Sequence, residues 1–123
     1  MRKIKKALIS VSDKKNLKSI LNVLKKFKID LISSGGTYKE IKKLKFKCLE
    51  ISQYTGSPEI LGGRVKTLHP KIHAGILSQR NNNLHKKNLK DHNFEEIDLV
   101  IVNFYPFEKI LTQTNNHLKI IEN

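Results

Sequence analysis

Up to Leu44 the chain repeats one pattern twice: a short apolar run, a loop rich in hydroxyls or glycine, then apolar residues at helical spacing. Ala7-Leu8-Ile9 leads through Ser10, Val11, Ser12, Asp13 and Lys14 to Leu17, Ile20, Leu21, Leu24 and Phe27. Those five residues mark one face of an amphipathic helix, with Ser12 and Asp13 as candidate caps. Ile29, Leu31 and Ile32 then form a second apolar run, and Ser33-Ser34-Gly35-Gly36-Thr37 leads into Tyr38, Ile41 and Leu44. Thr37 and Glu40 have the spacing of a capping box. Strands that alternate with helices imply an α/β fold with a parallel sheet and helices on both faces. Ligands of such sheets bind at the carboxyl ends of the strands.

The rest of the chain extends the pattern. Residues from Lys47 to Ile51 read as an edge or half-buried strand. Gln53 to Pro58 is turn chemistry, and Pro58 suits the first turn of a short helix reaching Leu61. Ile72, Ile76 and Leu77 line a helix face, Asn81 to Asn83 read as a loop, and Leu84 to His92 as a polar surface helix. Asp98 to Val102 has the continuous apolar, β-branched character of a buried parallel strand. It delivers Asn103, Phe104, Tyr105, Pro106 and Phe107 at its carboxyl end, and Leu118, Ile120 and Ile121 begin an apolar pattern that the chain does not complete. With 123 residues, no internal repeat and no linker, the chain reads as one domain.

Composition narrows the function classes. The formal charge is +13, carried almost entirely by lysine alongside abundant Ile and Asn, with arginine only at positions 2, 64 and 80. Direct base readout favours arginine, and single-strand platforms need exposed aromatics between the cations, so no specific nucleic-acid partner is expected. The apolar runs are far short of a membrane span and the basic amino terminus lacks a signal-type apolar region, which points to a cytoplasmic protein without a membrane partner. The single cysteine, Cys48, fits a reducing compartment and reads as a structural thiol in a strand.

Three loops suit anions. Ser12 to Lys14 and Ser34 to Thr37 each stand between a strand and a helix start, where free amides and the helix dipole favour a phosphate. Gly62 to Pro70 adds two adjacent glycines followed by Arg64, Val65, Lys66 and Thr67. By itself that stretch is equally an ordinary surface loop. Convergence of three such loops on one sheet edge favours the anion site. His69 and His73 are four apart, but Pro70 lies between them and no acidic or cysteine cluster completes a ligand set, so no metal site is expected. Tyr105 follows a strand and precedes Pro106, which lets its ring pack while its hydroxyl faces the cleft; the alternative is a core or interface aromatic.

Four strings carry a resemblance: SVSDK at Ser10 to Lys14, SSGGT at Ser33 to Thr37, GGRVKTLHPKIHAGIL at Gly62 to Leu77, and NFYPFE at Asn103 to Glu108. In that order they resemble the amino-terminal IMP cyclohydrolase domain of the bifunctional AICAR formyltransferase/IMP cyclohydrolase family of purine biosynthesis. The resemblance implies a methylglyoxal-synthase-like fold and closure of the formyl-carboxamide ribonucleotide FAICAR to IMP with loss of water. It implies nucleotide binding by Ser12, Asp13 and Lys14, by Ser34, Gly35, Gly36 and Thr37, and by Arg64, Val65, Lys66 and Thr67, with Val102 and Asn103 reaching the base. Lys66 and Tyr105 match positions with catalytic roles in the family. Cyclisation needs no cofactor, folate serving the formyltransferase domain, and a homodimer is a further implication.

The resemblance also predicts an incomplete cyclohydrolase domain over residues 1–123, truncated at the carboxyl end, because the family domain continues past Asn123 into a segment supplying an Asp and a Lys to the same site. It likewise predicts that the formyltransferase domain is absent. A catalytically inactive remnant or a phosphate- or nucleotide-binding module is the alternative reading. A methylglyoxal synthase shares the fold but needs its own acidic catalytic residues.

Overall fold

The computed structural model describes residues 3–58, 60–62 and 67–103. Four strands, β1 (Lys6–Ser10), β2 (Asp30–Ser33), β3 (Leu49–Glu50) and β4 (Leu99–Val102), form one sheet in the order β3-β2-β1-β4. Every pairing is parallel, with Leu8 opposite Ile32 and Val100, and Ile32 opposite Leu49. Five helices connect them: α1 (Leu17–Lys26), α2 (Gly35–Lys43), α3 (Ile51–Thr55), α4 (Pro70–Leu77) and α5 (Asn83–Asp91).

Alternation along β1 builds two cores. Ala7 and Ile9 face a cluster with Leu17, Leu21 and Leu24 of α1 and Ile41 of α2, whereas Leu8 faces Ile32, Ile51, Tyr54, Ile72 and Ile97. Each fully buried Leu or Ile contributes about 1.5–3 kcal/mol by leaving water, so both layers are needed to hold a short sheet. The expected parallel α/β sheet with helices on both faces is therefore present. Within α1 the buried stripe is narrower than the sequence spacing suggests, because Ile20 and Phe27 face outward.

Several local expectations are corrected. Asn16, in the left-handed region at φ 65°, precedes α1 as its cap, and neither Ser12 nor Asp13 fills that position. Helix α2 begins at Gly35, two residues before the expected capping box, because Gly35 turns the chain at φ 56°. Thr37 is thereby moved inside the helix, where its buried hydroxyl bonds another segment. The third strand shrinks to two residues, since Ile51 starts α3 and buries with Tyr54 against Leu8 and Ile32. The helix expected from Pro58 does not form among the described residues; the helical turn precedes the turn chemistry and stops at Gly56, φ 78°. Strand β4 is not buried on both faces: Val100 is 41% and Val102 63% exposed. Its apolar run suits an inner strand, but in the described sheet only β1 lies beside it.

Helices α1 and α2 end identically. The N–H of Ile29 donates to Leu24 O and that of Lys28 to Lys25 O; the N–H of Phe46 donates to Ile41 O and that of Lys45 to Lys42 O. Both turns place a lysine in the left-handed region, Lys28 at φ 56° and Lys45 at φ 69°. Glycine is usual there, and a side chain with Cβ costs about 1 kcal/mol.

Helix α4 is seated by Gly75. A Cβ on Gly75 would stand 2.8 Å from Glu95 O and 3.1 Å from Ile97 Cγ1, so only glycine lets the helix approach this closely. The contact is closed by the Ile97 N–H donating to Gly75 O at 3.0 Å. Arg80 straps the far end, donating to Ser78 O and Ile97 O at 2.7 and 2.6 Å, and Asp98 accepts the N–H groups of Lys5 and Lys6 at 2.9 and 3.2 Å. Among the described residues no helix is long and apolar enough to cross a membrane.

Candidate functional site

Parallel pairing places the ends of β1, β2 and β4 together, so the segments that follow them meet at one sheet edge. After β1, the buried Val11 N–H donates to Thr37 Oγ1 at 3.1 Å, and that hydroxyl donates back to Val11 O at 3.0 Å. One threonine thus satisfies both backbone groups of Val11 and fixes the loop to the first turn of α2. Buried backbone groups are costly to leave unpaired, which is why this hydroxyl serves Val11 and not its own helix end.

Asn103 holds the other side. Its Oδ1 accepts from Ser12 N at 2.7 Å, Ser12 Oγ at 3.0 Å and Asp13 N at 3.4 Å, while its Nδ2 donates to Asp13 O at 2.8 Å. Asp13 Oδ1 accepts the Lys15 N–H at 2.9 Å and tightens the turn. The loop after β1 is therefore gripped on one side by α2 and on the other by the residue that follows β4.

Lys14 stands at the centre. Its ammonium donates to Val11 O at 3.1 Å and more weakly to Ser12 O at 3.5 Å. A Cβ built on Gly36 would lie 3.6 Å from Lys14 Cε and 3.7 Å from Nζ, so the cation rests against the start of α2. Ser34, the residue at that start, makes no side-chain capping hydrogen bond. The first turn of a helix has amides without intrahelical partners and a positive dipole end. An ammonium with three donors beside such a turn attracts an anion from two directions.

The structure thus brings Ser12, Asp13, Lys14, Ser34, Gly35, Gly36, Thr37 and Asn103 together. Val102 ends β4 opposite Ser10 and is exposed. Thr67 is half-buried and its carbonyl accepts the His69 N–H at 2.8 Å. Arg64, Val65, Lys66 and Tyr105 lie outside the described residues.

The clamping roles of Thr37 and Asn103 were missed from sequence. A hydroxyl or amide gives no local sign of a partner 26 or 91 positions away.

Two further side chains near the sheet have defined settings. His69 caps α4, its Nδ1 accepting the Lys71 N–H at 3.0 Å, and no group of three or more potential metal ligands occurs among the described residues. Burial pushes the Cys48 thiol up to about 11, opposed by the neighbouring Lys42, which keeps it protonated and non-nucleophilic near neutral pH.

A family model described as the MGS-like domain matches residues 16–123. The chain belongs to the MGS-like domain family. It is 50% identical over 121 residues to the bifunctional purine biosynthesis protein PurH of Acetivibrio thermocellus, covering 98% of this chain and 24% of that protein. It is 49% identical over 118 residues to PurH of Prochlorococcus marinus, covering 95% of this chain and 23% of that protein. The chain therefore spans about a quarter of the length of the curated relatives it matches. A crystal structure of ForH superposes with a TM-score of 0.74 at 31% identity, over 82% of this chain and 53% of that one. The junction of Lys14 with the start of α2 lies outside the carboxyl ends of the strands, where parallel α/β sheets bind ligands.

Proposed function

We propose that this MGS-like domain acts in purine biosynthesis as an IMP cyclohydrolase domain, binding FAICAR and closing it to IMP. The observation that carries the reading is the junction of Lys14, Gly36 and the uncapped start of α2, gripped by Thr37 and Asn103. It has the chemistry of a nucleotide-phosphate cradle. The PurH relatives, matched along nearly the whole chain, support the choice of nucleotide.

In the reaction the carboxamide nitrogen attacks the formyl carbon. The nitrogen loses a proton, the former formyl oxygen becomes a hydroxyl, and that hydroxyl departs with a proton as water. Nothing is oxidised or reduced. Holding the two ends of the substrate together removes much of the entropic barrier, and a cation beside the developing oxyanion lowers the rest. Lys66 is the proposed cation and Tyr105 the second catalytic residue, with Arg64, Val65 and Thr67 as further nucleotide-binding residues.

The test is FAICAR cyclisation followed by absorbance, with IMP binding measured in parallel by calorimetry. Arg64→Ala and Lys66→Ala weaken IMP binding, and Lys66→Ala and Tyr105→Phe slow turnover. Unchanged IMP affinity in both alanine variants sinks the site. IMP binding without turnover in the unmodified chain would instead make it a nucleotide-binding module.

A further inference from the structure

The amino-terminal end of the sheet carries a second cationic feature, independent of the nucleotide loops. Lys28 and Lys45, the two left-handed residues that close α1 and α2, line one open cavity of about 880 Å³. Lys6, Lys25, Lys42 and Lys47 line it as well, and Phe46 and Leu49 form part of its apolar wall. Among its described lining residues Asp30 supplies the only carboxylate.

Helix ends explain only part of this charge. A helix carboxyl terminus carries about half a negative charge, and the last turns already hold Lys25 and Lys26 in α1 and Lys42 and Lys43 in α2. Lys28, Lys45 and Lys47 exceed that requirement. Glycine would close both turns without strain, so the fold itself does not call for lysine at either position. All six cations are ammonium groups on flexible stems, point charges that can bind phosphate without a bidentate fork. The Lys25 ammonium also lies 5.8 Å from the Phe46 ring centroid, so cation and apolar wall are adjacent.

We propose that this cavity binds a small molecule bearing a polyphosphate group, free or carried on a nucleotide. Lys28 and Lys45 contact the phosphates, with Lys25, Lys42 and Lys47 closing the charge around them.

The test is an NMR titration of the full chain with inorganic triphosphate and, in parallel, adenosine triphosphate. Saturable shifts are expected at the amides of Lys28, Lys45 and Phe46. The double variant Lys28→Gly, Lys45→Gly weakens binding by roughly fivefold per lysine. The same variant raises the melting temperature by about 5 °C, because it relieves backbone strain at both turns. A charge-matched control, Lys86→Gln with Lys87→Gln on the exposed face of α5, leaves the affinity unchanged. Tighter binding of adenosine triphosphate assigns Phe46 to the base, and equal binding assigns the site to free polyphosphate; both support the proposal. Shifts confined to Ser12–Lys14 and Ser34–Thr37 overturn it. So does an equal loss of affinity in the control, which reduces the interaction to net charge.

Discussion

Cationic groups gather at both ends of the parallel sheet, yet the two settings differ, and the amino end also carries Asp30, Glu95, Glu96 and Asp98. At the carboxyl end the charge is mostly backbone: an uncapped helix start and a loop pinned by Thr37 and Asn103, with Lys14 as the nearby cation. At the amino end it is side-chain charge alone, on lysines that follow the carboxyl termini of α1 and α2. The first arrangement fixes direction as well as sign. The second fixes only sign, and its strength falls with salt. A site that must hold one substrate in one pose belongs at the first end.

The largest effect that could break this contrast is at Thr37. Thr37→Val removes the acceptor of the buried Val11 N–H and one of the two donors to Val11 O, which keeps Lys14, and should cost up to about 3 kcal/mol in chemical denaturation. Thr37→Ser should restore most of it. A loss below about 0.5 kcal/mol would mean that the carboxyl end is not held by this clamp.

Alkaline pH probes the other end. Tyr54 lies beneath the ammonium groups of Lys71 and Lys6, 4.2 and 5.3 Å from its ring centroid. Burial, and then the Glu95 carboxylate, push its hydroxyl up to about 12 from 10. The folded chain therefore binds this proton more tightly than the unfolded chain does. The stability linked to it is fully present below pH 10 and is lost as pH rises towards 12, by up to about 2 kcal/mol. Cys48 adds a loss in the same direction between pH 9 and 11. Melting curves from pH 8 to 12 should show the decline, and Tyr54→Phe should flatten its upper part. An unchanged decline in Tyr54→Phe would place the titrating group elsewhere.

Lys14→Ala sharpens the comparison from the ligand side. IMP binding should weaken about tenfold while stability changes by less than about 0.5 kcal/mol, since Val11 O keeps the Thr37 hydroxyl as a donor and the Ser12 O contact is long. A larger stability loss would make Lys14 a structural strut. The smallest effect concerns Tyr54 itself near neutral pH. Its buried hydroxyl has no hydrogen-bond partner among the described residues, so Tyr54→Phe should stabilise the chain by about 1 kcal/mol, read as a rise in denaturation midpoint.

Much of this was legible beforehand, for identifiable reasons. The alternation of Ala7-Leu8-Ile9 and Leu31-Ile32 with the Leu17, Leu21 and Leu24 spacing forces strands and helices that bury both faces of a sheet. Gly35 and Gly36 marked a backbone turn that needs no side chain. Local propensity failed where burial competed with it: Ile51 and Tyr54 reach the core only as a helical turn, so α3 forms before the proline that seemed to announce it. The buried character read into Asp98 to Val102 failed because hydrophobicity records what a strand can face, while exposure depends on which neighbours are beside it.

The sequence by itself determined the parallel α/β layering, because period and turn chemistry act over a few residues. The tertiary structure alone decided that Thr37 holds Val11, that Asn103 grips Ser12 and Asp13, and that Lys14 rests on Gly36. It also decided that lysines from two separate turns share one cavity. Each of those pairings joins residues far apart in the chain, and only the register of β1 against β2 and β4 brings them within bonding distance.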